Sequence, residues 1–294
     1  MFRLRITLAL TVMCTILVHS IKGQDKPPEA PLDQRELNTA LMESTFKIEG
    51  RAGQGKTTGT VFIMGRPTSD PKTLRYVLIT AAHVLDGIQG DMAVLYLRRR
   101  VNETDWTLTP SPLQIRASGQ QLWTKHPSAD VAVMYVGIPK ETVIPLVSTD
   151  LLAGDKEISD YEIHAGDALN VLGYPFGLPS NDAGFPVLRS GKIASYPLLP
   201  TAKTGTFLLD FAVFPGNSGG PVYLAESTRT FHGSTRLGGF NFIAGLVSEE
   251  KLQTEQLIGI FSAKMHQYQL GLAVIVHASL IRQTIDMLPA PEVQ

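Results

Sequence analysis

Cysteine is almost missing from this sequence: its 294 residues include one, Cys14. A lone thiol cannot close an internal disulfide, so stability has to come from the core and the backbone hydrogen bonds. Cys14 lies in an apolar stretch behind Thr11-Val12-Met13, and bulky Met13 stands where a lipoprotein signal wants a small residue; Cys14 reads as small apolar filler. A surplus of one charge is missing too. Lys and Arg number 26 against 27 Asp and Glu, a formal net charge of −1. That balance gives no basic footprint for nucleic acid or an anionic membrane. The one basic run, Arg98-Arg99-Arg100, follows a strand pattern and reads as a solvated strand end. Membrane-length apolar runs, internal repeats, heptads and low-complexity tracts are absent as well. No metal site and no cofactor are expected.

The N-terminus has a pattern of its own. Arg3 and Arg5 precede the thirteen-residue stretch Ile6 to Val18, and Val18 and Ser20 suit cleavage after Ser20, with Gly23 as a later option. A membrane span needs roughly 20 apolar residues, so the reading is a signal peptide over 1–20, with an uncleaved anchor as the alternative. Residues 21–34, with Pro27, Pro28 and Pro31, read as a leader. Removing Arg3 and Arg5 leaves 24 basic against 27 acidic residues, a formal −3. Export without disulfides is unusual for a small animal secreted domain and ordinary for a bacterial envelope protein. The expected location is the bacterial periplasm or the medium, with no membrane contact after cleavage.

Past the leader, Leu37 and Leu41 at helical spacing suit a short helix within 32–42. Short β-branched and aromatic runs then follow one another: 46–48, 58–64, 76–80, 93–97 and 131–136, with turns at Gly65-Arg66-Pro67 and Ser69-Asp70-Pro71. After Gly137 a second set spans 168–172, 187–195, 206–211, 221–224, 242–248 and 270–276. Leu280, Ile281, Ile285 and Leu288 mark a helix over 278–288, stopped by Pro289. The pattern predicts an all-β protein of two barrels meeting at a cleft, followed by one helix. Residues 251–269 intervene before the last strand as a lid or a surface loop.

One motif misleads. Residues 50–57, Gly-Arg-Ala-Gly-Gln-Gly-Lys-Thr, satisfy the phosphate-loop pattern letter by letter. That motif needs a helix after it, and the β-branched run from Thr57 to Ile63 is poor for one. A glycine-rich hairpin entering a strand accounts for the same letters.

The most informative stretch is Phe214-Pro-Gly-Asn-Ser218-Gly-Gly-Pro-Val222. A serine attacks a carbonyl only when its hydroxyl is exposed, a base takes its proton and backbone N–H groups face the developing oxyanion. Gly216 removes the side chain that would block such donors. A base is offered by His83, at the end of the run from Val77 and preceded by two alanines. Asp130, opening the apolar strand 131–136, is the acid that can hold the imidazole tautomer. Either residue alone has a structural reading: a histidine after an apolar run is more often packed than catalytic, and an aspartate there can cap a turn.

Thr80-Ala-Ala-His83, Asp130-Val-Ala-Val and Gly216-Asn-Ser218-Gly-Gly-Pro, in that order, resemble the chymotrypsin-fold (trypsin-like) serine peptidases, and most nearly the bacterial HtrA (Deg) type. Gly173-Tyr-Pro-Phe-Gly177 with Ser190-Gly191-Lys-Ile193, and the strands at 243–248 and 270–274, extend the likeness over about 35–288. The resemblance implies two six-stranded antiparallel β-barrels, the first over about 44–140 and the second over about 141–276, with the helix at 278–288. It implies Ser218 as nucleophile, His83 as general base and acid, Asp130 as its orienter, and an oxyanion hole from the N–H groups of Gly216 and Ser218. Ala212 and Val213 then fall at the base of the S1 pocket, Gly271 and Ala273 on its wall, and Ser248 to Glu250 along the cleft edge. With no carboxylate at Ala212, small or apolar P1 residues are expected rather than Lys or Arg. Val247 stands where glutamyl-specific relatives carry a histidine. Asn217 lacks the charge that would pair with an N-terminus freed by zymogen cleavage. His126, His164, His232, His266 and His277 read as structural or exposed. The residues after Leu288 are too few for the PDZ domain of HtrA enzymes, and a trimer is allowed by resemblance only. The expectation is an exported serine endopeptidase acting on proteins or peptides. The alternative is a catalytically silent protease-fold binding protein.

Overall fold

The computed structural model describes residues 36–68, 74–142, 144–231, 233–258 and 263–290. The expected signal peptide and leader, and the Ser69-Asp70-Pro71 turn, lie outside them. Helix α1 (Leu37–Ser44) leads into strands β1 (Thr45–Ala52), β2 (Gly55–Pro67) and β3 (Leu74–Thr80). A short helix, α2 (Ala82–Asp86), is followed by β4 (Gln89–Arg100) and β5 (Trp106–Gln114). Three two-residue strands come next, β6 (Arg116–Ala117), β7 (Gln120–Gln121) and β8 (Thr124–Lys125), and then β9 (Ala132–Tyr135). These build a seven-stranded antiparallel sheet in the order β5-β4-β1-β2-β3-β9-β8, with β6 and β7 as a separate pair. In β2 the run Val61-Phe62-Ile63-Met64 is buried without alternation, so both of its faces are covered.

The second half opens with α3 (Asp155–Asp160), then β10 (Ala168–Gly173), β11 (Val187–Ile193), α4 (Thr201–Thr204) and β12 (Thr206–Asp210). It ends with β13 (Pro221–Phe231), β14 (Ser234–Ile258), β15 (Ala263–His277) and α5 (Ala278–Asp286). Strands β10-β11-β12-β15-β14-β13 form a closed six-stranded barrel. Although α5 follows the second barrel in sequence, Leu280, Ile281, Ile285 and Leu288 join the core of the first half. The helix therefore straps the two halves together.

Gly65-Arg66-Pro67, expected as a turn, belongs to β2 and pairs with Tyr76, Arg75 and Leu74 of β3. Three further features depart from the sequence reading. Strand β5 was not legible because Pro110 and Pro112 interrupt its pattern; it lies at the sheet edge, where missing N–H donors are tolerated. Residues 251–269 are mostly strand rather than loop: the β14–β15 ladder runs from Leu252 opposite Gln269 to Ile258 opposite Ala263. Two strands leaving a barrel side by side keep satisfying each other's backbone groups, so the ladder extends outward.

Arg98 is the third. It is 1% exposed rather than solvated. Its guanidinium lies between the rings of Phe46 and Phe185, 4.4 Å from each centroid. It donates to the carbonyls of Met42, Glu43, Thr45 and Gly184 and to the Tyr174 hydroxyl. Nη1 and Nη2 make all of these bonds, to acceptors converging from both halves of the chain, while Nε has no partner among the described residues. Residues 50–57 are the hairpin between β1 and β2, with Ala52 opposite Gly55, and no helix follows. That arrangement removes the phosphate-loop reading.

Candidate active site

His83 and Asp130 come from the first half, Ser218 and Ser248 from the second, and the site lies where the halves meet. Strand β3 ends at Thr80, and fully buried Ala81 and Ala82 turn the chain into α2, leaving the His83 ring about half exposed. Asp130 sits in the bend just ahead of β9. Its Oδ1 accepts the His83 backbone N–H at 2.9 Å, and its Oδ2 meets His83 Nδ1 at 2.7 Å. The Ser248 hydroxyl donates to Oδ2 at 2.6 Å. A carboxylate accepts only, so Nδ1 carries the proton and Nε2 is left as the basic nitrogen.

These contacts set the ionisation. Burial would raise the Asp130 pKa, but the hydrogen bonds from His83 and Ser248 hold it at about 2. The His83 pKa is raised, first by the hydrogen bond to Asp130; burial opposes, and the charges of Asp130, Glu249 and Asp86 add to the rise. Ser248, expected at the cleft edge, is thus 6% exposed and supports the acid. Sequence gave no sign of that role, because β14 is far from Asp130 along the chain.

Ser218 is held through its backbone. Its carbonyl accepts from Thr60 N–H at 2.9 Å, and the Thr60 hydroxyl donates to the Gly216 carbonyl at 2.6 Å. Thr80, three residues before His83, donates from its hydroxyl to the Thr60 carbonyl at 2.7 Å. Thr60 and Thr80 therefore tie the Ser218 loop to the strand that leads to His83. A Cβ on Gly219 (φ +87°) would meet Thr60 O at 2.1 Å and Thr80 Oγ1 at 2.2 Å. Only glycine permits that approach. Gly216, at φ +98°, is equally confined: a Cβ there would lie 2.1 Å from Tyr174 O.

Among the described residues the hydroxyl of Ser218 makes no hydrogen bond, and it is half-buried. Bonds between nucleophile and base commonly tighten only once substrate is bound. The N–H of Asn217 is taken by Phe214 O at 3.0 Å, whereas those of Gly216 and Ser218 enter no backbone hydrogen bond among the described residues. Two alternate N–H groups remain available beside the Ser218 hydroxyl.

The pocket residues are only partly brought together. Phe211 N–H donates to Gly271 O at 2.9 Å, which sets Phe211, the neighbour of Ala212, beside Gly271. Ala212 O accepts from Arg189 Nη1 at 2.8 Å. Val213 and Ala273 are buried in the second core, and Ala212 and Gly271 are half-buried. Val247 is fully buried and Glu249 is exposed; the side chain of Glu250 lies outside the described residues.

Among the described residues the other histidines stay away from this chemistry. His126 Nδ1 accepts from the N–H groups of Ser128 and Ala129, and its Nε2 faces Gln283 of α5. His277 is buried against Phe207, and burial pulls its pKa down to about 4. His164 is exposed. His232, and the side chain of His266, lie outside the described residues.

A comparison with curated proteins finds no match. Among solved structures, a serine endoprotease from Yersinia pestis is similar at a TM-score of 0.45 and 16% identity, covering 88% of this chain and 67% of that one. The Rv3671c protease from M. tuberculosis in its active form gives a TM-score of 0.45 and 18% identity over 91% of this chain and 89% of its own. The protease Anisep from Arthrobacter nicotinovorans gives 0.46 and 13%, over 83% and 94%. The trypsin-like peptidase domain model matches residues 58–228, an interval that takes in His83, Asp130 and Ser218. It covers more than half of the sequence, and on that ground the chain belongs to the trypsin-like peptidase family, serine endopeptidases of the chymotrypsin fold.

Proposed function

We propose that the protein is an exported endopeptidase that hydrolyses peptide bonds through a Ser218–His83–Asp130 triad and an acyl-enzyme intermediate. The observation that carries this reading is the two-point grip of Asp130 on His83, at 2.9 Å to the backbone and 2.7 Å to the ring. It fixes the tautomer in which Nε2 accepts a proton. Ser218 Oγ attacks the substrate carbonyl while its proton passes to His83 Nε2. The new oxyanion is held by Gly216 N–H and Ser218 N–H. The imidazolium, stabilised by ionised Asp130, gives its proton to the leaving amine. Water then repeats the sequence on the acyl-enzyme and restores Ser218.

Small Ala212, with no carboxylate at that position, favours small or apolar P1 residues, since a buried P1 charge would be unpaired there. Asn217 is 1% exposed, and its Oδ1 has no partner among the described residues. An aspartate there would be a buried unpaired charge, so activity is expected without a released N-terminus. The pattern over residues 1–20 supports export, and sequencing the N-terminus of the exported protein tests it: the expected start is Ile21.

A fluorophosphonate probe tests the chemistry without knowledge of the substrate. The folded protein is expected to label, and Ser218→Ala to lose labelling entirely. Folded protein that stays unlabelled would mean a silent binding protein instead. Cleavage-site mapping on a peptide library reads the P1 preference.

A further inference from the structure

The oxyanion hole proposed above depends on one peptide plane. Gly216 N–H faces a substrate only while the Pro215–Gly216 peptide keeps its orientation. Glycine tolerates φ of either sign, so Gly216 itself does not prevent that plane from flipping. A flip would put the Pro215 carbonyl where a donor is needed. Something outside the 214–222 loop has to hold it.

Phe176 makes the contact that does so. Its backbone N–H donates to Pro215 O at 2.6 Å. In a trans peptide the C=O and the following N–H point in opposite directions. Holding Pro215 O toward Phe176 therefore aims Gly216 N–H away from it, outward. Phe176 reaches this position in a left-handed conformation, φ +55° and ψ +23°, unusual for a bulky residue. Its ring lies stacked on Phe214, centroids 5.0 Å apart and planes 29° from parallel. The Arg189 guanidinium covers Phe211 at 4.2 Å and Phe214 at 5.3 Å while bonding Ala212 O.

The base of the Phe176 turn is also fixed. Tyr174 is buried, its hydroxyl bound to Thr45 O, Gly184 O and Arg98, and Gly177 N–H returns to Tyr174 O at 2.8 Å. Yet the Phe176 side chain is 65% exposed. A ring left so open adds little to the core, and among the described residues its one ring-to-ring contact is with the residue next to Pro215.

We infer that Phe176 is a positioning residue for the oxyanion hole: its ring, stacked on Phe214, keeps its own N–H on the Pro215 carbonyl and thereby keeps Gly216 N–H aimed at the reacting carbonyl. The inference rests on the triad reading above.

The test is the rate of fluorophosphonate labelling as a function of probe concentration, because phosphonylation also builds charge on an oxygen in that hole. Phe176→Ala is expected to lower the maximal labelling rate on the order of tenfold or more, up to the 10²–10³ typical of a lost oxyanion donor. The half-saturating probe concentration and the melting temperature should stay near those of the parent. Phe176→Tyr, which keeps the stack, should restore the rate. Phe214→Ala should lower it comparably, and the double variant should be no slower than the worse single one, because both remove one stack.

A maximal rate within about threefold of the parent in Phe176→Ala overturns the inference while Ser218→Ala still abolishes labelling. So does a slow variant that Tyr fails to rescue and that melts well below the parent, which would make Phe176 merely structural. If the folded parent does not label at all, the triad reading itself falls.

Discussion

Replacing Asp130 by Asn keeps shape and volume and changes only the pattern of donors. The carboxylate accepts three hydrogen bonds: His83 N–H on Oδ1, and His83 Nδ1–H with the Ser248 hydroxyl on Oδ2. An amide has one oxygen and one NH₂. With the NH₂ at the Oδ1 position, it would face the His83 backbone N–H at 2.9 Å, two donors with nothing between them. That costs about 1–3 kcal/mol, and the backbone cannot adapt. The amide therefore turns the other way, NH₂ toward Nδ1. The ring then keeps Nδ1 bare and protonates Nε2, the nitrogen that must accept the Ser218 proton. The expected loss in labelling rate or turnover at neutral pH is on the order of 10⁴-fold, the size associated with a wrong tautomer in other triads.

Two further readouts follow from the same exchange. The Asp130 carboxylate raises the His83 pKa, so the acid limb of the activity profile, where His83 loses its proton, lies above the ordinary histidine value and moves down in Asp130→Asn. Asp130 titrates at about 2 when folded against an ordinary 3.8. It therefore contributes about 2 kcal/mol of stability above pH 3.8, lost as pH falls toward 2, and Asn removes that acid-side slope. Labelling kinetics, ring ¹⁵N shifts of His83 and melting temperature against pH measure the three effects. A variant that keeps more than a tenth of the parent rate, or that loses activity with the proton still on Nδ1, would refute the donor-counting argument.

Gly219→Ala is expected to abolish labelling and lower the melting temperature, since the new methyl would sit 2.1 Å from Thr60 O and 2.2 Å from Thr80 Oγ1, both in the frame carrying His83. Labelling at the parent rate would show that the frame yields. Arg98→Lys should destabilise by roughly 3 kcal/mol or more in urea unfolding, because a three-donor ammonium cannot serve five acceptors and loses both ring stacks. A change below about 1 kcal/mol would show that Arg98 fills space rather than ties the halves.

Some of this molecule is written locally. Short β-branched runs between turn residues announce strands because their side chains repeat every second residue on a pleated surface, and all eleven runs read from sequence overlap β1 to β4 or β9 to β15. Where that rule fails, position is the reason: Pro110 and Pro112 are allowed only because β5 ends up at a sheet edge. The proposed nucleophile and its partners were read from local pattern as well, because a serine between glycines and a histidine behind alanines are demands that the chemistry would make on neighbouring residues.

Other roles belong to contacts between distant parts of the chain. Ser248 supports Asp130 across 118 positions. Thr60 grips the serine loop across 156, and Arg98 is a tie between halves rather than part of a solvated run. None of these has a local pattern, because a hydroxyl or guanidinium gains its role from which acceptors the fold brings within 3 Å. The sequence by itself determined an all-β chain with a nucleophile motif and ordered partners. Only the tertiary structure decided which donors and acceptors meet, and with them the His83 tautomer, the ionisation of Asp130 and the direction of the Gly216 N–H.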